Sequence, residues 1–240
     1  MITLIGHLLR RMLTPGRTLG LLALGALPAV SLWLASSFSE DETYAIAVTT
    51  QGFTYVTAVL ILTVATLRDE RDGGTFPFLY MRPIGRGAFS AASLLGGIAA
   101  GALVGVGVWL VTIVGSVAGG KSLVGTGAGI VLYLAAAIGY ASIFVPLGYL
   151  APRSILFGLG YVVLFEQVAA NVVPGIARIS VWRIATSIYV DLLPSVPRRV
   201  YLEVLDPVQP GAAAGLVKLG FVFLVGWGVL TWALRNRDAV

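Results

Sequence analysis

Residues Phe89–Val117 read FSAASLLGGIAAGALVGVGVWLVTIVGSV, a run that contains no charged side chain. A transmembrane helix needs about 20 consecutive apolar residues, and more when it is tilted. Within the run, Gly97, Gly101 and Gly105 recur at every fourth position. This spacing lets two helix backbones approach closely. The stretch therefore predicts a membrane-spanning helix that packs on a neighbouring helix through its glycines.

The rest of the chain has the same apolar character. Of its 240 residues, 58% are hydrophobic and only 11% are charged, whereas soluble domains carry about 45–50% apolar and about 25% charged residues. The expected solvent is therefore the lipid bilayer. The sequence has no cysteine, and its one histidine, His7, precedes the first apolar run. We therefore expect no catalytic residues and no metal site.

Hydropathy predicts an all-α, polytopic membrane protein whose six transmembrane helices form a single domain that covers residues 1–240. The fifth span has Glu166 near its middle, at a cost of roughly 2.5–3.5 kcal/mol, which aliphatic neighbours offset at about 0.3–0.6 kcal/mol each. The predicted spans are Leu19–Phe38, Tyr44–Leu67, Phe89–Val117, Val124–Leu150, Ile155–Val173 and Ala212–Leu234.

The basic residues set the predicted orientation. Cytoplasmic loops of membrane proteins carry an excess of lysine and arginine. With the N-terminus inside, arginines are concentrated on the inner side, whereas the first outer loop, Glu40–Glu42, is acidic. Both termini are thus predicted to be cytoplasmic, in a plasma or inner membrane. The net charge of +5 is interpreted as topogenic charge and contact with membrane lipids, not as nucleic acid binding.

Segments outside the spans also show helical spacing of apolar residues. Residues 1–18 predict an amphipathic helix on the inner surface. A cleaved signal peptide is the alternative, but the following apolar run is longer than the 7–15 residues of such a signal. Residues 174–211 predict one or two short amphipathic helices at the outer interface. The apolar positions are Ile2, Ile5, Leu9 and Met12 in the first segment, and Ala177, Val181, Ile184 and Ile188 in the second.

The stretch Gly115–Ser122 matches the phosphate-loop pattern G-x-x-x-x-G-K-[ST] letter for letter. That loop binds nucleotide only between a strand and a helix of an α/β domain. Here the match follows a predicted span and faces the outer side. It is therefore interpreted as an outer turn.

The segment between the second and third spans, Arg68–Arg86, reads RDERDGGTFPFLYMRPIGR. Thr75 can cap a helix, and Pro77 is tolerated in its first turn. Arg82 and Pro83 end the pattern. The segment therefore predicts a short helix at the inner membrane surface.

This loop resembles that of the type-2 ABC transporter permease family, in which an acidic residue, Gly-Thr, a short apolar helix, and Pro with a following Arg occupy the same place. Pro77 and the lack of a lysine soon after Arg86 depart from the family pattern. The matching residues are Glu70, Gly74, Thr75, Leu79, Pro83 and Arg86.

The resemblance implies that Glu70–Arg86, including Arg82, forms a coupling helix seated on a cytoplasmic ABC ATPase subunit. An ordinary charged inner loop is the alternative. The family implies a membrane-spanning permease subunit of an exporter that pairs with a second copy or a paralogue. It implies no cofactor in this chain, with ATP and Mg held by the partner ATPase. An ATP-independent channel or carrier is the alternative function.

Polar residues at membrane depth usually face the interior of a helix bundle. The fifth predicted span contains three such residues, Glu166, Gln167 and Asn171. We therefore expect these three to line a translocation path, with an interhelical hydrogen-bond cluster as the alternative.

Overall fold

Helices make up most of the described chain. A computed structural model describes residues 6, 14–34, 40–72, 85–118, 129–193, 205–206, 208–209 and 211–236. No strand occurs in these residues, so the all-α prediction is confirmed for them. In chain order the helices are α1 (Pro15–Leu34), α2 (Glu40–Asp72), α3 (Arg86–Ala118), α4 (Gly129–Leu150), α5 (Ser154–Gly160), a π-helix (Tyr161–Ala169), α6 (Ala170–Val172), α7 (Pro174–Ala177), α8 (Val181–Asp191) and α9 (Ala212–Asn236).

Five stretches of the described chain are long and apolar enough to cross a membrane, which indicates a multi-pass membrane protein. They overlap the second to sixth predicted spans, and the full set of six spans stays a prediction. The helix α1 coincides with most of the first predicted span, Leu19–Phe38, but is not among them. The five stretches are Ile46–Asp69, Arg86–Ala118, Gly129–Leu150, Ser154–Val172 and Ala212–Asn236.

Two helices extend further than hydropathy alone predicts. The acidic residues Glu40–Glu42, predicted as an outer loop, form the first turn of α2. Negative charges are favoured there by the helix dipole. At the other end, α2 continues through the charged residues Arg68–Asp72. In α1 the helix begins at Pro15, a residue whose missing N–H costs nothing at the first helical position.

The centre of the bundle is formed by α2 and α4. In their membrane-crossing windows 67% of the residues are buried, compared with 33% in α3 and 22% in α9. The outer helices therefore turn large apolar side chains outward, for example Val117 of α3, Leu164 of the π-helix and Phe221 of α9. Such surfaces suit contact with lipid rather than water.

The predicted close packing of the third span is confirmed. Gly97, Gly101 and Gly105 of α3 face α4, and we call this contact the glycine seam. A Cβ atom on Gly97 would lie 2.7 Å from Val145, and one on Gly101 would lie 3.1 Å from Ala137. Both distances are shorter than ordinary van der Waals contact. The two backbones approach this closely because glycine has no side chain.

The helix α8 is wedged into the bundle. Every residue from Val181 to Val190 is buried, so α8 lacks the open polar face that its amphipathic pattern predicts. Its side chains fill gaps left by glycines on the long helices. Val181 packs where Gly139 lacks a side chain, and Ile188 packs against Gly215. The position of α7 and α8 relative to a membrane stays a prediction.

Candidate functional site

Most of the predicted ATPase-coupling residues lie outside the described residues. Glu70 falls in the last turn of α2, and Arg86 is the first residue of α3, where its side chain is partly buried. The short helix between them therefore stays a prediction, as does the N-terminal interfacial helix. The coupling residues outside the described chain are Gly74, Thr75, Leu79, Arg82 and Pro83.

The fifth predicted span contains a nine-residue π-helix, Tyr161–Ala169, in place of a continuous α-helix. In an α-helix, residues five apart point about 140° away from each other around the axis. The i→i+5 bonding of a π-helix instead stacks such residues on one face. Tyr161 and Glu166 are five apart, and the Tyr161 hydroxyl donates to Glu166 Oε1 at 3.0 Å. π-Helices are rare and are often found at functional sites.

The Glu166 side chain is only 6% exposed and accepts hydrogen bonds from three groups. Besides Tyr161, Ser180 Oγ donates to Oε2 at 2.5 Å and the Val181 backbone N–H donates to Oε1 at 3.1 Å. Ser180 also caps α8, because its Oγ accepts from the Arg183 N–H at 3.3 Å. Glu166 thereby joins the π-helix to the start of α8.

A buried arginine completes the polar group. Arg183 is 6% exposed, and its Nη2 donates to Asn171 Oδ1 at 2.7 Å while its Nη1 donates to the Asp206 carbonyl. The Asn171 amide in turn donates to the Gln167 carbonyl at 2.5 Å. We call Tyr161, Glu166, Asn171, Ser180 and Arg183 the Glu166 cluster.

Four of these side chains, those of Glu166, Asn171, Ser180 and Arg183, border a cavity of about 50 Å³. A water molecule needs roughly 10–15 Å³ measured in this way, so the cavity has room for a few waters. The hydroxyl of Tyr140 is buried and has no hydrogen-bond partner in the described part of the chain. It lies at the cavity wall together with Glu166, Gln167 and Asn171. The three polar residues predicted for a translocation path are therefore brought together.

The cluster contains one acidic and one basic side chain of opposite charge. Burial lowers the pKa of Arg183, and the charges of Asp206 and Glu166 act in the opposite direction. Arginine keeps its charge in proteins, so the carboxylate and guanidinium share the cavity wall. Within the described residues no group of three or more His, Cys, Asp or Glu side chains could hold a metal ion. The arrangement suits water and small polar solutes.

Sequence reasoning missed Arg183, Ser180 and both tyrosines. Arg183 falls outside the apolar face formed by Ala177, Val181, Ile184 and Ile188, which predicts an exposed charge, and Ser180 belongs to no pattern. A useful signal was available at Trp182–Arg183, because an arginine inside an otherwise apolar helix near an intramembrane glutamate is a candidate partner. Tyr161 could be found only from the π-helix, which hydropathy does not predict.

The sequence was also compared with known proteins. No protein-family model matches it, and no curated protein sequence matches it significantly.

Proposed function

We propose that this protein is the membrane-spanning permease subunit of an ATP-binding cassette exporter, driven by a separate cytoplasmic ATPase. The observation that carries the proposal is the placement of Glu70, the acidic residue of the family-like loop, in the last turn of α2. A coupling helix must transmit movement into the bundle. The helix α2 passes the cavity at Thr49 and Gly52 and continues to the loop, so it is suited to do so.

The contacts of α2 support this role. Thr49 and Gly52 of α2 border the cavity. Glu70 lies 18 positions after Gly52, which is about 27 Å along the helix axis at 1.5 Å per residue. In between, Tyr55 donates to carbonyls of α3 and α4, and Leu60 packs against Gly158 of α5. Movement of the loop would therefore reach the cavity through one rigid element.

The ATP site is assigned to the partner because the phosphate-loop match lacks the required surroundings. Its first four residues, Gly115–Ala118, belong to the end of the long helix α3. A nucleotide-binding loop of this type follows a strand and opens a helix. ATP and Mg would accordingly be bound by the ATPase subunit, and this chain would supply the route across the membrane.

The route is proposed to form between this chain and a second permease copy or a paralogue. The cavity beside Glu166 holds only about 50 Å³, which is well below the roughly 300–1,000 Å³ of small-molecule sites. It would be a closed part of a path that opens when the two permease subunits separate. Glu166, Gln167 and Asn171 would then face the substrate.

Co-purification tests the proposal. The full-length chain, purified from its native membrane under mild conditions, is expected to bring down a soluble ATPase. Glu70→Ala should weaken that association or its ATP turnover. Glu42→Ala, at the opposite end of the same helix α2, is the matched control and should leave both unchanged. Absence of any ATPase, together with transport that needs no ATP, would favour a channel or carrier.

The predicted orientation can be tested separately. Because the chain has no cysteine, a single introduced thiol is the only one that can react. In intact cells a membrane-impermeant maleimide should label Ser122→Cys but not Thr75→Cys. Inside-out vesicles should give the reverse pattern. Labelling of both variants from one side would contradict the cytoplasmic placement of the Glu70–Arg86 loop.

The role of the cavity is tested by Glu166→Gln in the co-purified complex. This variant keeps the side-chain volume and removes the charge. We expect ATP turnover coupled to transport to fall while the complex stays assembled. Unchanged turnover and unchanged thermal stability would exclude Glu166 from the path.

A further inference from the structure

A second cavity lies where α8 meets the start of α9. Its volume is about 290 Å³, close to the lower end of the roughly 300–1,000 Å³ that small-molecule sites occupy. Arg178 and Lys218 border it, with Ser187 and Gln209 as further polar neighbours. The Gly211 N–H donates to the Ser187 carbonyl and fixes the chain before α9 against α8. The backbone of α8 and that of the chain before α9 therefore border the cavity on two sides.

The two basic side chains make this cavity strongly positive. Both Arg178 and Lys218 are exposed, and neither has a hydrogen-bond or ion-pair partner among the residues that the structure describes. Asp191, the nearby acidic residue of α8, accepts from the Ala212 N–H at 2.9 Å. The Asp191 carboxylate is therefore paired with the first turn of α9. Two positive charges at one cavity favour an anionic occupant.

The cavity continues into a lipid-facing surface. Ala214 and Lys218 border it, and Phe221 and Val225 follow on the same face of α9 at helical spacing. The last two are large, apolar and exposed. Because side chains of a helix tilt toward its N-terminus, Lys218 extends from this apolar stripe back toward the cavity. Lysine near a span end commonly reaches the headgroup region in this way.

We propose that the cavity between α8 and α9 binds the phosphate headgroup of an anionic phospholipid. Arg178 and Lys218 would contact the phosphate oxygens, and the exposed side chain of Gln209 borders the same cavity and could donate a further hydrogen bond. The acyl chains would run along Phe221 and Val225. Basic pockets between transmembrane helices on the cytoplasmic or matrix side bind phospholipid headgroups, and this cavity would be a counterpart at the predicted outer interface.

A lipid is a better occupant than free phosphate because of the apolar stripe. A soluble phosphate would use only the two cations and would leave Phe221 and Val225 without a role. A phospholipid matches both halves of the surface at once. The proposal requires only that α9 spans the membrane, so it does not depend on an ATPase partner.

The experiment is a lipid titration of the purified full-length chain in detergent, followed by native mass spectrometry. Phosphatidylglycerol is the anionic probe, and phosphatidylcholine is the zwitterionic reference. We expect phosphatidylglycerol to bind more tightly. A basic residue near an anionic lipid contributes about 1 kcal/mol, so Lys218→Gln and Arg178→Gln should each weaken binding about fivefold. Because neither side chain has a hydrogen-bond or ion-pair partner among the described residues, neither change should lower the melting temperature.

The controls are Arg153→Gln and Arg235→Gln, which remove basic residues that do not border this cavity. They should bind phosphatidylglycerol as the unmodified chain does. Inorganic phosphate at millimolar concentration is added as a competitor. Equal binding of the two lipids, unchanged binding by Lys218→Gln and Arg178→Gln, or displacement of phosphatidylglycerol by inorganic phosphate alone would each overturn the proposal.

Discussion

The glycine seam and the Glu166 cluster join helices of the same bundle in different ways. In the seam, three glycines of α3 let the α4 backbone approach until Val145 and Ala137 fill the available space. In the cluster, a buried carboxylate accepts hydrogen bonds from Tyr161, Ser180 and the Val181 N–H. One contact depends on shape, and the other depends on the pairing of polar atoms.

The difference matters because lipid does not drive helices together as water does. Helices in membranes associate through van der Waals packing and interhelical hydrogen bonds. The glycine seam joins its helices by van der Waals packing and leaves no space between them. The Glu166 cluster joins its helices by hydrogen bonds and borders a cavity of about 50 Å³. We infer that the seam fixes the position of α3 on α4, and that the cluster fixes α8 on the π-helix at a place with room for water.

The largest effect is expected from Glu166→Ala. Removing one partner of a buried charged network typically costs about 3–5 kcal/mol. Here three donors and the Arg183 guanidinium would lose a neighbouring negative charge. The melting temperature of the detergent-purified chain should fall by many degrees, as measured by tryptophan fluorescence or by loss of the monodisperse peak on heating.

The matched control is Gln167→Ala, one position along the π-helix. The Gln167 side chain borders the cavity, but only its backbone carbonyl accepts a hydrogen bond from Asn171. Its truncation should change the melting temperature much less. Similar losses for both variants would mean that the cavity wall as a whole, and not the pairing of Glu166, stabilises this region.

The next largest fall in melting temperature is expected from Gly105→Leu, which tests the glycine seam. A Cβ atom on Gly105 would lie 2.5 Å from Tyr133 Cβ, so a leucine must displace α4. Overpacking of this kind typically costs about 1–3 kcal/mol. Gly107→Leu is the control, because a Cβ atom on Gly107 meets nothing within 4 Å. Leucine has a higher helix propensity than glycine, so a melting temperature that falls equally for both would show that side-chain bulk anywhere on α3, rather than contact with α4, controls the result.

A smaller effect separates the two tyrosines beside Glu166. Tyr161→Phe removes the donor to Glu166 Oε1, and side-chain hydrogen bonds in membrane proteins contribute up to about 1.7 kcal/mol. Tyr140→Phe removes a buried hydroxyl that has no partner within hydrogen-bond distance among the described residues, so it should be neutral or stabilising. Thermal unfolding of both variants is the measurement. A clear loss for Tyr140→Phe would indicate that its hydroxyl pairs with Glu166, directly or through water.

The features that were predictable from sequence are those that hydropathy and spacing encode. The glycine repeat at Gly97, Gly101 and Gly105 predicts the seam because close packing needs small residues at every fourth position. Glu166, Gln167 and Asn171 stand out because polar residues are rare at membrane depth. All three border one cavity, and their part in transport stays a prediction.

The π-helix and the burial of α8 were not predictable in this way. Hydropathy measures composition, and it does not distinguish i→i+5 from i→i+4 bonding along Tyr161–Ala169. Likewise, the spacing of apolar residues places Arg183 on a polar face, which predicts that it is exposed. It is buried because glycines on other helices, such as Gly52 beside Trp182, leave room for α8 inside the bundle. Such features depend on contacts between segments distant in sequence.

The smallest expected effect is that of Tyr55→Phe, which removes the polar link beside the seam. The Tyr55 hydroxyl donates to the Tyr133 carbonyl at 2.8 Å and to the Gly101 carbonyl at 3.2 Å. Both carbonyls lie inside helices and keep their i+4 hydrogen bonds, so no buried group is left without a partner. Hydrogen bonds of this kind in membrane proteins average about 0.6 kcal/mol.

The ring contacts of Tyr55 should survive the same substitution, because phenylalanine retains the ring that lies 5.1 Å from that of Tyr133. The melting temperature should therefore fall by less than in Tyr161→Phe, where the carboxylate loses a donor at the edge of a cavity. If Tyr55→Phe costs as much as Tyr161→Phe, hydrogen bonding would hold both contacts. The distinction between a seam held by shape and a cluster held by polar pairing would then be wrong.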